Sequence, residues 1–245
     1  MKRMLAVLVV VLLLGLSNYG LAQDTEDSPT NVTIGLKTWY ATWEYKPVGQ
    51  EGFDYGTGLM YGPALNIRAG NLFFGLSYLM GGGFTYDYSE TSGYYDYTYE
   101  YEADRTDLDL SLGYYFHPNL ALFLGYKTVT ITSSDTTTYG TFTSESEWET
   151  KLAGPAFGLA GYARLGESRM ILFGTLSYVS LESEIDGVSG ESFTGPAIEA
   201  GLAYALETMP VSVSLGYKYQ SYTEDVEDGG EDVFAGLSLG LNFSL

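Results

Sequence analysis

The C-terminal stretch from Val233 to Leu245 alternates between apolar residues and mostly small or polar ones. The apolar positions, each two residues apart, are Val233, Ala235, Leu237, Leu239, Leu241, Phe243 and Leu245. The positions between them are Phe234, Gly236, Ser238, Gly240, Asn242 and Ser244. A period of two is typical of a β-strand with one face in an apolar medium. The pattern therefore predicts a strand whose other face borders a small, polar space.

The same alternation recurs along the chain and predicts ten strands. They begin near Val32, Leu59, Leu72, Thr106, Leu120, Trp148, Met170, Pro196, Val211 and Val233. Polar loops (46–54, 89–93, 133–146, 182–191 and 224–231) alternate with tight turns. Strands long enough to cross a bilayer, ~9–11 residues each, predict an all-β fold: a transmembrane antiparallel up-and-down β-barrel. Counts of eight or twelve strands follow if the tyrosine-rich hairpin is assigned differently. We expect the last strand to pair with the first and close the barrel.

The N-terminal segment has the features of a secretory signal. Lys2 and Arg3 precede the apolar run Leu5–Leu14, and Gly20-Leu21-Ala22 suits a signal peptidase. We expect a cleaved signal peptide at 1–22, a periplasmic linker at 23–30 and the barrel domain at 31–245. Beyond the signal peptide no run approaches the ~20 apolar residues of a spanning helix, which leaves a closed barrel as the way to cross a membrane.

Composition narrows the classes of function. The chain of 245 residues has a formal charge of −20, no cysteine and one histidine. Nucleic-acid binding requires a basic patch, and the acidic balance argues against it. The absence of cysteine excludes disulfides and thiolate metal sites. The histidine, His117, falls in a predicted turn and not beside a nucleophile at the outer rim, so we expect no enzymatic activity, no catalytic residue and no cofactor.

Charged residues of both signs fall on the predicted inward face. They are Lys37, Arg68, Asp107, Asp109, Lys127, Arg164, Glu199 and Lys218. In one interpretation they pair across a narrow lumen and form a polar core that fills the barrel. In the other they line a small channel.

The last predicted loop is the most acidic part of the chain. Its carboxylates are Glu224, Asp225, Glu227, Asp228, Glu231 and Asp232. The simpler interpretation is a solvated acidic loop. The alternative is binding of Ca²⁺ or Mg²⁺, directly or as a bridge to lipopolysaccharide, because both ions prefer carboxylate oxygens. The spacing of an EF-hand is absent.

Tyrosines crowd the hairpin between the third and fourth strands. They are Tyr86, Tyr88, Tyr94, Tyr95, Tyr97, Tyr99 and Tyr101. From Tyr95 to Glu102 they alternate with Asp, Thr and Glu, which predicts a tyrosine face and an acidic face. Cross-strand tyrosine pairs would stabilise an extended hairpin. The alternative is a recognition surface, since tyrosine gives rigid contact area at low entropic cost.

Together, the signal peptide, the alternating strands, the alternation of loops and turns and the C-terminal strand resemble the small outer-membrane β-barrel proteins of Gram-negative bacteria. Members of this class include adhesins, small channels, structural anchors and a few enzymes, so the resemblance carries over no functional residue. It implies recognition of the last strand by the barrel-assembly machinery. The family usually ends in an aromatic residue, whereas this chain ends in Phe243-Ser244-Leu245.

These observations predict a monomer in the bacterial outer membrane with both termini in the periplasm. Its partners would be outer-membrane lipids, lipopolysaccharide, the assembly machinery and an extracellular ligand, with no nucleic acid. We expect a structural or surface-interaction role, through the acidic, tyrosine-rich loops. The alternative is a small, porin-like passive diffusion channel.

Overall fold

The computed structural model describes residues 30–49, 51–92, 95–226 and 229–245, and for Ser92 and Tyr95 only the backbone. The predicted signal peptide, most of the linker, Tyr94, Glu227 and Asp228 lie outside these residues. The described chain forms ten strands. They are β1 Asn31–Lys46, β2 Phe53–Ala69, β3 Leu72–Ser92, β4 Tyr95–His117, β5 Leu120–Tyr139, β6 Phe142–Arg164, β7 Met170–Ile185, β8 Val188–Ala205, β9 Val211–Glu224 and β10 Glu231–Ser244. In this part of the chain no helix is long and apolar enough to cross a membrane.

Each strand pairs antiparallel with its neighbours in sequence, and β10 pairs with β1, so the sheet is a closed up-and-down barrel. At this seam Gly35 lies opposite Asn242 and Tyr40 opposite Leu237. Closure leaves no free strand edge, which is the condition for a sheet to lie in lipid. The predicted fold, strand number and closing pair are confirmed.

The two ends of the barrel differ. At one end short turns join β2 to β3, β4 to β5, β6 to β7 and β8 to β9, and the described chain begins and ends beside them. We call this the short-turn end. At the opposite end, the long-hairpin end, strands continue well beyond the points where the sequence predicted loops.

Two of the segments that the sequence predicted to be loops are β-hairpins instead, so these two loop predictions are wrong. The segment 133–146 is a hairpin in which β5 runs to Tyr139 and β6 resumes at Phe142. The segment 182–191 is a hairpin in which only Asp186 and Gly187 separate the strands, both with positive φ. An Asp-Gly pair with this geometry is typical of a two-residue hairpin turn, and the β-branched threonines of the first segment suit a strand.

The outer face of the barrel carries a belt of exposed apolar side chains. Leu36, Leu112, Leu124, Leu215 and Leu239 are each between 52% and 71% exposed. A belt of this kind on a closed barrel is the surface that faces lipid. Towards the long-hairpin end the belt gives way to polar side chains. On β1, for example, the outward residues after Tyr40 are Thr42, Glu44 and Lys46, and the last two form an ion pair of 3.0 Å.

Three Gly-Pro pairs interrupt the hydrogen-bonding ladder without changing its register. They are Gly62-Pro63, Gly154-Pro155 and Gly195-Pro196, and each falls in a gap between paired residues of adjacent strands. Proline cannot donate to the ladder. The preceding glycine lets the strands approach at this point, since a Cβ there would collide with a carbonyl oxygen of Tyr78, Ser180 or Ser221, respectively.

Candidate functional site

A layer of charged side chains crosses the lumen near the middle of the barrel. Asp107 is at its centre and accepts hydrogen bonds from Arg105 Nε (2.6 Å), Arg105 Nη2 (3.0 Å) and Lys127 Nζ (3.1 Å). Lys127 also donates to Asp109 over 2.8 Å. Lys218 Nζ, from β9, lies 3.9 Å from both aspartates. These contacts join β4, β5 and β9 across the lumen.

The layer continues towards β1, β8 and β10. Lys37 Nζ donates to Glu199 Oε2 over 2.6 Å, and Ser238 donates to Glu199 Oε1 over 3.0 Å. Gln220 Oε1 accepts from Arg105 Nη2 over 2.7 Å. We call this set the ion layer; its charged members are Lys37, Arg105, Asp107, Asp109, Lys127, Glu199 and Lys218. Buried charges are tolerated only when they are paired, and all of these have an opposite charge within 4 Å.

Six of the eight residues predicted to line the lumen are in the ion layer. Arg68 is near the short-turn end instead, with its guanidinium carbon 4.0 Å from the ring centroid of Tyr115. Arg164 is exposed at the end of β6 and apart from the layer. Sequence reasoning missed Arg105 because it was assigned to the arm of the tyrosine hairpin. Arg105, Asp107 and Asp109 are two residues apart on one strand and so share a face. This spacing could have predicted an inward position for Arg105.

Aromatic and aliphatic side chains close the lumen between the ion layer and the long-hairpin end. The aromatic members are Trp39, Trp43, Phe84, Tyr101, Tyr222 and Phe234, all at most 6% exposed. The Trp43 and Phe234 rings stack with centroids 5.2 Å apart, and Phe84 meets Phe234 edge to face. Met60, Leu79, Leu152 and Leu181 pack around them. We call this set the aromatic plug; the pattern of the sequence did not predict it.

The tyrosine hairpin is divided between the plug and the outer rim. Tyr101 is in the plug, 6% exposed, and its hydroxyl is 2.8 Å from Ser133 Oγ. Tyr86 and Tyr99 pack against the plug, and Tyr88 and Tyr97 pair further out with ring centroids 6.1 Å apart. Tyr101 is therefore a core residue, and its assignment to a recognition surface is wrong. Tyr101 has the same parity on β4 as Asp107 and Asp109, whereas on β3 a bulge between Gly82 and Phe84 turns Phe84 and Tyr86 inward.

The described carboxylates of the last loop have separate environments. Glu224 accepts a hydrogen bond from the Gly230 amide, Glu231 from Ser221, and Asp225 is exposed. Asp232 points inward above the plug and accepts a 2.7 Å hydrogen bond from Trp43 Nε1. It lies opposite Tyr45, beyond the lipid-facing belt, and burial raises its pKa to about 6. Within the described ranges no three acidic or histidine side chains converge as metal ligands would.

The closed ten-stranded sheet and its apolar outer belt define the fold of an outer-membrane β-barrel. Among solved structures, the chain is similar to the outer membrane protease OmpT from Escherichia coli, at 15% identity and a TM-score of 0.53, over 92% of this chain and 99% of that one. The translocator domain of the autotransporter NalP from Neisseria meningitidis aligns at 13% identity and a TM-score of 0.43, over 99% and 95% of the two chains. No protein-family model and no curated protein matches the chain. The likeness to the protease shows the fold of this chain, that of an outer-membrane β-barrel, and leaves its activity open.

Proposed function

We propose that this protein is a non-conducting outer-membrane barrel that presents its long-hairpin end to the outside of the cell for contact with surface partners. The observation that carries the proposal is the aromatic plug. A continuous water path would have to pass Trp43, Phe84 and Phe234, which are 6%, 0% and 1% exposed. The paired charges of the ion layer lie directly beneath. This arrangement favours a closed anchor over a diffusion channel.

The charges at the long-hairpin end indicate the chemistry of the partner. Among the described residues beyond the lipid-facing belt, Lys46 and Lys151 are the basic side chains, whereas every hairpin carries several carboxylates. A surface of one sign attracts partners of the opposite sign over a distance of about a Debye length. We therefore favour positively charged surfaces or peptides. Catalysis is not part of the proposal, since His117 lies at the short-turn end, where its Nδ1 accepts from the Asn119 amide.

Conductance of the purified barrel in planar bilayers tests closure. We expect no steady openings from the wild type. Replacing Phe84 and Phe234 with alanine should create a water path and produce openings. The matched control replaces the lipid-facing Phe74 and Phe157 with alanine and should behave as wild type. Steady wild-type openings equal to those of the plug variant would refute the closed barrel.

Labelling of intact cells tests the orientation. Because the chain has no cysteine, a single cysteine can report its own side of the membrane. Val188→Cys, in the exposed start of β8, should react with a membrane-impermeant maleimide. Met209→Cys, exposed at the short-turn end, should react only after the cells are permeabilised. The reverse pattern would place the long hairpins in the periplasm.

Binding of fluorescent poly-L-lysine to intact cells tests the partner chemistry. Replacing Glu145 and Glu147 of the β5–β6 hairpin with glutamine should weaken binding, and added salt should weaken it further, because exposed charges are screened. Replacing Glu167 and Glu207 at the short-turn end provides a control with the same change of net charge and should have no effect. Equal binding by all three proteins would contradict an acidic binding surface.

A further inference from the structure

A cavity of about 360 Å³ occupies the lumen on the short-turn side of the ion layer, and its volume is within the usual range for sites that hold small molecules. The ion layer and the aromatic plug close it towards the long-hairpin end. Towards the short-turn end the inward side chains become more exposed. On β2 Met60 is buried and Asn66 is exposed, and on β7 Val179 is buried and Thr175 is exposed. The cavity is therefore a pocket that opens at the short-turn end.

The charges that line this cavity do not balance. Of the described charged residues in its lining, three are cations, Lys37, Lys127 and Lys218, and two are anions, Asp109 and Glu199. Lys37 is paired with Glu199 over 2.6 Å, and Lys127 with Asp109 over 2.8 Å. The ion layer as a whole has the same excess, with four cations and three anions. Lys218 therefore has no carboxylate of its own.

Lys218 is buried, yet its ammonium group makes no hydrogen bond within the described part of the chain. Its side chain is 8% exposed, and Nζ lies 3.9 Å from an oxygen of Asp107 and of Asp109, beyond hydrogen-bonding distance. Both carboxylates already accept a shorter hydrogen bond from Lys127, of 3.1 and 2.8 Å. Nζ also lies 4.4 Å from the ring centroid of Trp39, a cation–π contact that offers no acceptor atom. The N–H donors of Lys218 are thus unused.

A second unused donor occupies the next inward position of β9. Gln220 is 2% exposed and lines the same cavity. Its Oε1 accepts from Arg105 Nη2 over 2.7 Å and from the Tyr222 hydroxyl over 2.8 Å, which fixes the orientation of the amide. Among the described residues its Nε2 has no acceptor. Because buried polar groups normally have partners, an ammonium and an amide N–H without acceptors indicate an occupant that accepts hydrogen bonds and carries negative charge.

The wall between this charged roof and the short-turn end is mostly apolar. Its inward apolar side chains are Ala64, Phe73, Phe123, Ala156, Ala160 and Ala197. The alanines leave space between the strands, and the two rings provide flat apolar surface. Burying an apolar group against such a wall is favourable. The occupant that fits both regions has a charged end and an apolar body.

We propose that this cavity binds a monocarboxylate with a small apolar body, which enters from the short-turn end. Its carboxylate accepts hydrogen bonds from Lys218 Nζ and Gln220 Nε2 and balances the single excess positive charge. Its body lies against Phe73 and Phe123. A second negative charge would be buried without a partner, which is costly. The proposal goes beyond the surface contact and is independent of it, because the cavity lies on the other side of the plug.

Isothermal titration calorimetry on the barrel in a non-ionic detergent tests the site, with benzoate and hexanoate as probes and empty micelles as the baseline. We expect saturable binding of at least one of them. Benzamide, which has the ring without the charge, should bind more weakly by about tenfold or more, since a hydrogen bond to a charged group contributes about 1.5–3 kcal/mol. Chloride, at constant ionic strength, should compete poorly because it lacks the apolar body.

Three results with these probes would overturn the proposal. The first is the absence of saturable binding by both carboxylates. The second is equal binding of benzamide and benzoate, which would mean that the ring alone is recognised. The third is competition by chloride at the concentrations at which benzoate itself binds, which would mean a site for a small inorganic anion.

Two lysines locate the binding. Lys218→Met removes the charge with little change in length and should weaken benzoate binding about tenfold or more. Lys151→Met changes the net charge equally at an exposed position of β6 and should bind as wild type. If Lys218→Met does not fold, Ala160→Trp tests the site by filling the cavity, with the outward Ala163→Trp as its control. Unchanged binding in the folded cavity variant would place the carboxylate elsewhere and refute the site.

Discussion

The guanidinium carbon of Arg105 lies 3.8 Å from the ring centroid of Phe234, at the boundary between the ion layer and the aromatic plug. Arg105 is 1% exposed, and its Nη1 is one of two buried side-chain donors without a hydrogen-bond partner in the described part of the chain. The ring face offers this edge of the guanidinium a cation–π contact, which is stronger where water is excluded. The plug therefore keeps water from Arg105 and Asp107, the members of the ion layer that are 1% and 0% exposed.

Asp107→Ala should strongly destabilise the barrel. Arg105 and Lys127 would lose the carboxylate that both contact, and removing one partner of a buried ion pair typically costs about 3–5 kcal/mol. Urea unfolding in lipid vesicles, followed by the change in gel mobility between folded and unfolded protein, measures the loss.

An exposed ion pair provides the control for this prediction. Arg169 and Glu207 are 2.5 Å apart at the short-turn end, and the Glu207 side chain is 74% exposed. Glu207→Ala should change stability by less than about 1 kcal/mol, because solvent screens such pairs. Equal losses in the two variants would mean that the ion layer is solvated.

Gly236→Ala should impair closure of the barrel. A Cβ at this position of β10 would collide with the carbonyl oxygen of Tyr40 on β1, in the middle of the seam. Backbone cannot move aside as a side chain can, so we expect a loss of about 1–3 kcal/mol or more, the range for overpacking. The fraction of heat-modifiable barrel after refolding measures the effect. Gly174→Ala, where the nearest neighbouring atom would be 3.5 Å away, should refold normally; failure of both would indicate a general intolerance of alanine.

The seam shows what the sequence pattern could predict. The alternation from Val233 to Leu245 assigned both faces of β10, and pairing with β1 followed from closure of an even-stranded barrel. The lipid-facing side of a strand is recognisable because every second residue is apolar. The inward side has no such rule, because large aromatic, charged and small residues all occur there. Phe234 illustrates this: its place in a plug depends on Phe84 and Trp43 from other strands.

The ion layer shows where prediction from sequence ended. Asp107 and Lys218 belong to β4 and β9, and they approach each other only because the tilt of the strands places them at one height in the barrel. No local pattern encodes this stagger. The bulge at Gly82–Phe84 is a second example, since it reverses the faces of β3 beyond that point and directs Phe84 and Tyr86 inward. The bulge falls in the run Gly81-Gly82-Gly83, and nothing in that run shows which faces the following residues occupy.

Tyr101→Ala should cost far more stability than the same change at Tyr88. Tyr101 contacts Trp43, Tyr55 and Trp148 in and around the plug, and truncating a buried aromatic typically costs about 3–5 kcal/mol. Tyr88 is 44% exposed on the outer hairpin, where substitutions usually change stability by about 0.5 kcal/mol or less. Urea unfolding of both variants decides the matter. Similar losses would show that the whole hairpin, and not only its base, stabilises the barrel.

The stability of the long-hairpin end should depend on pH through Asp232. Burial is the main cause that raises its pKa to about 6, nearby Glu224 and Glu231 raise it further, and the hydrogen bond from Trp43 partly opposes them. A carboxyl whose pKa is higher in the folded state favours folding while it is protonated, and this contribution is lost as pH rises through the folded pKa. Wild-type protein should therefore lose stability between about pH 4, the ordinary pKa of an aspartate, and about pH 6.5, just above the folded pKa. Asp232→Asn should remove this dependence and be more stable than wild type at the higher pH, whereas Asp225→Asn, on the exposed rim, should retain it. Thermal unfolding followed by near-ultraviolet circular dichroism at the two pH values measures the difference. A pH dependence unchanged in Asp232→Asn would assign the effect to other groups.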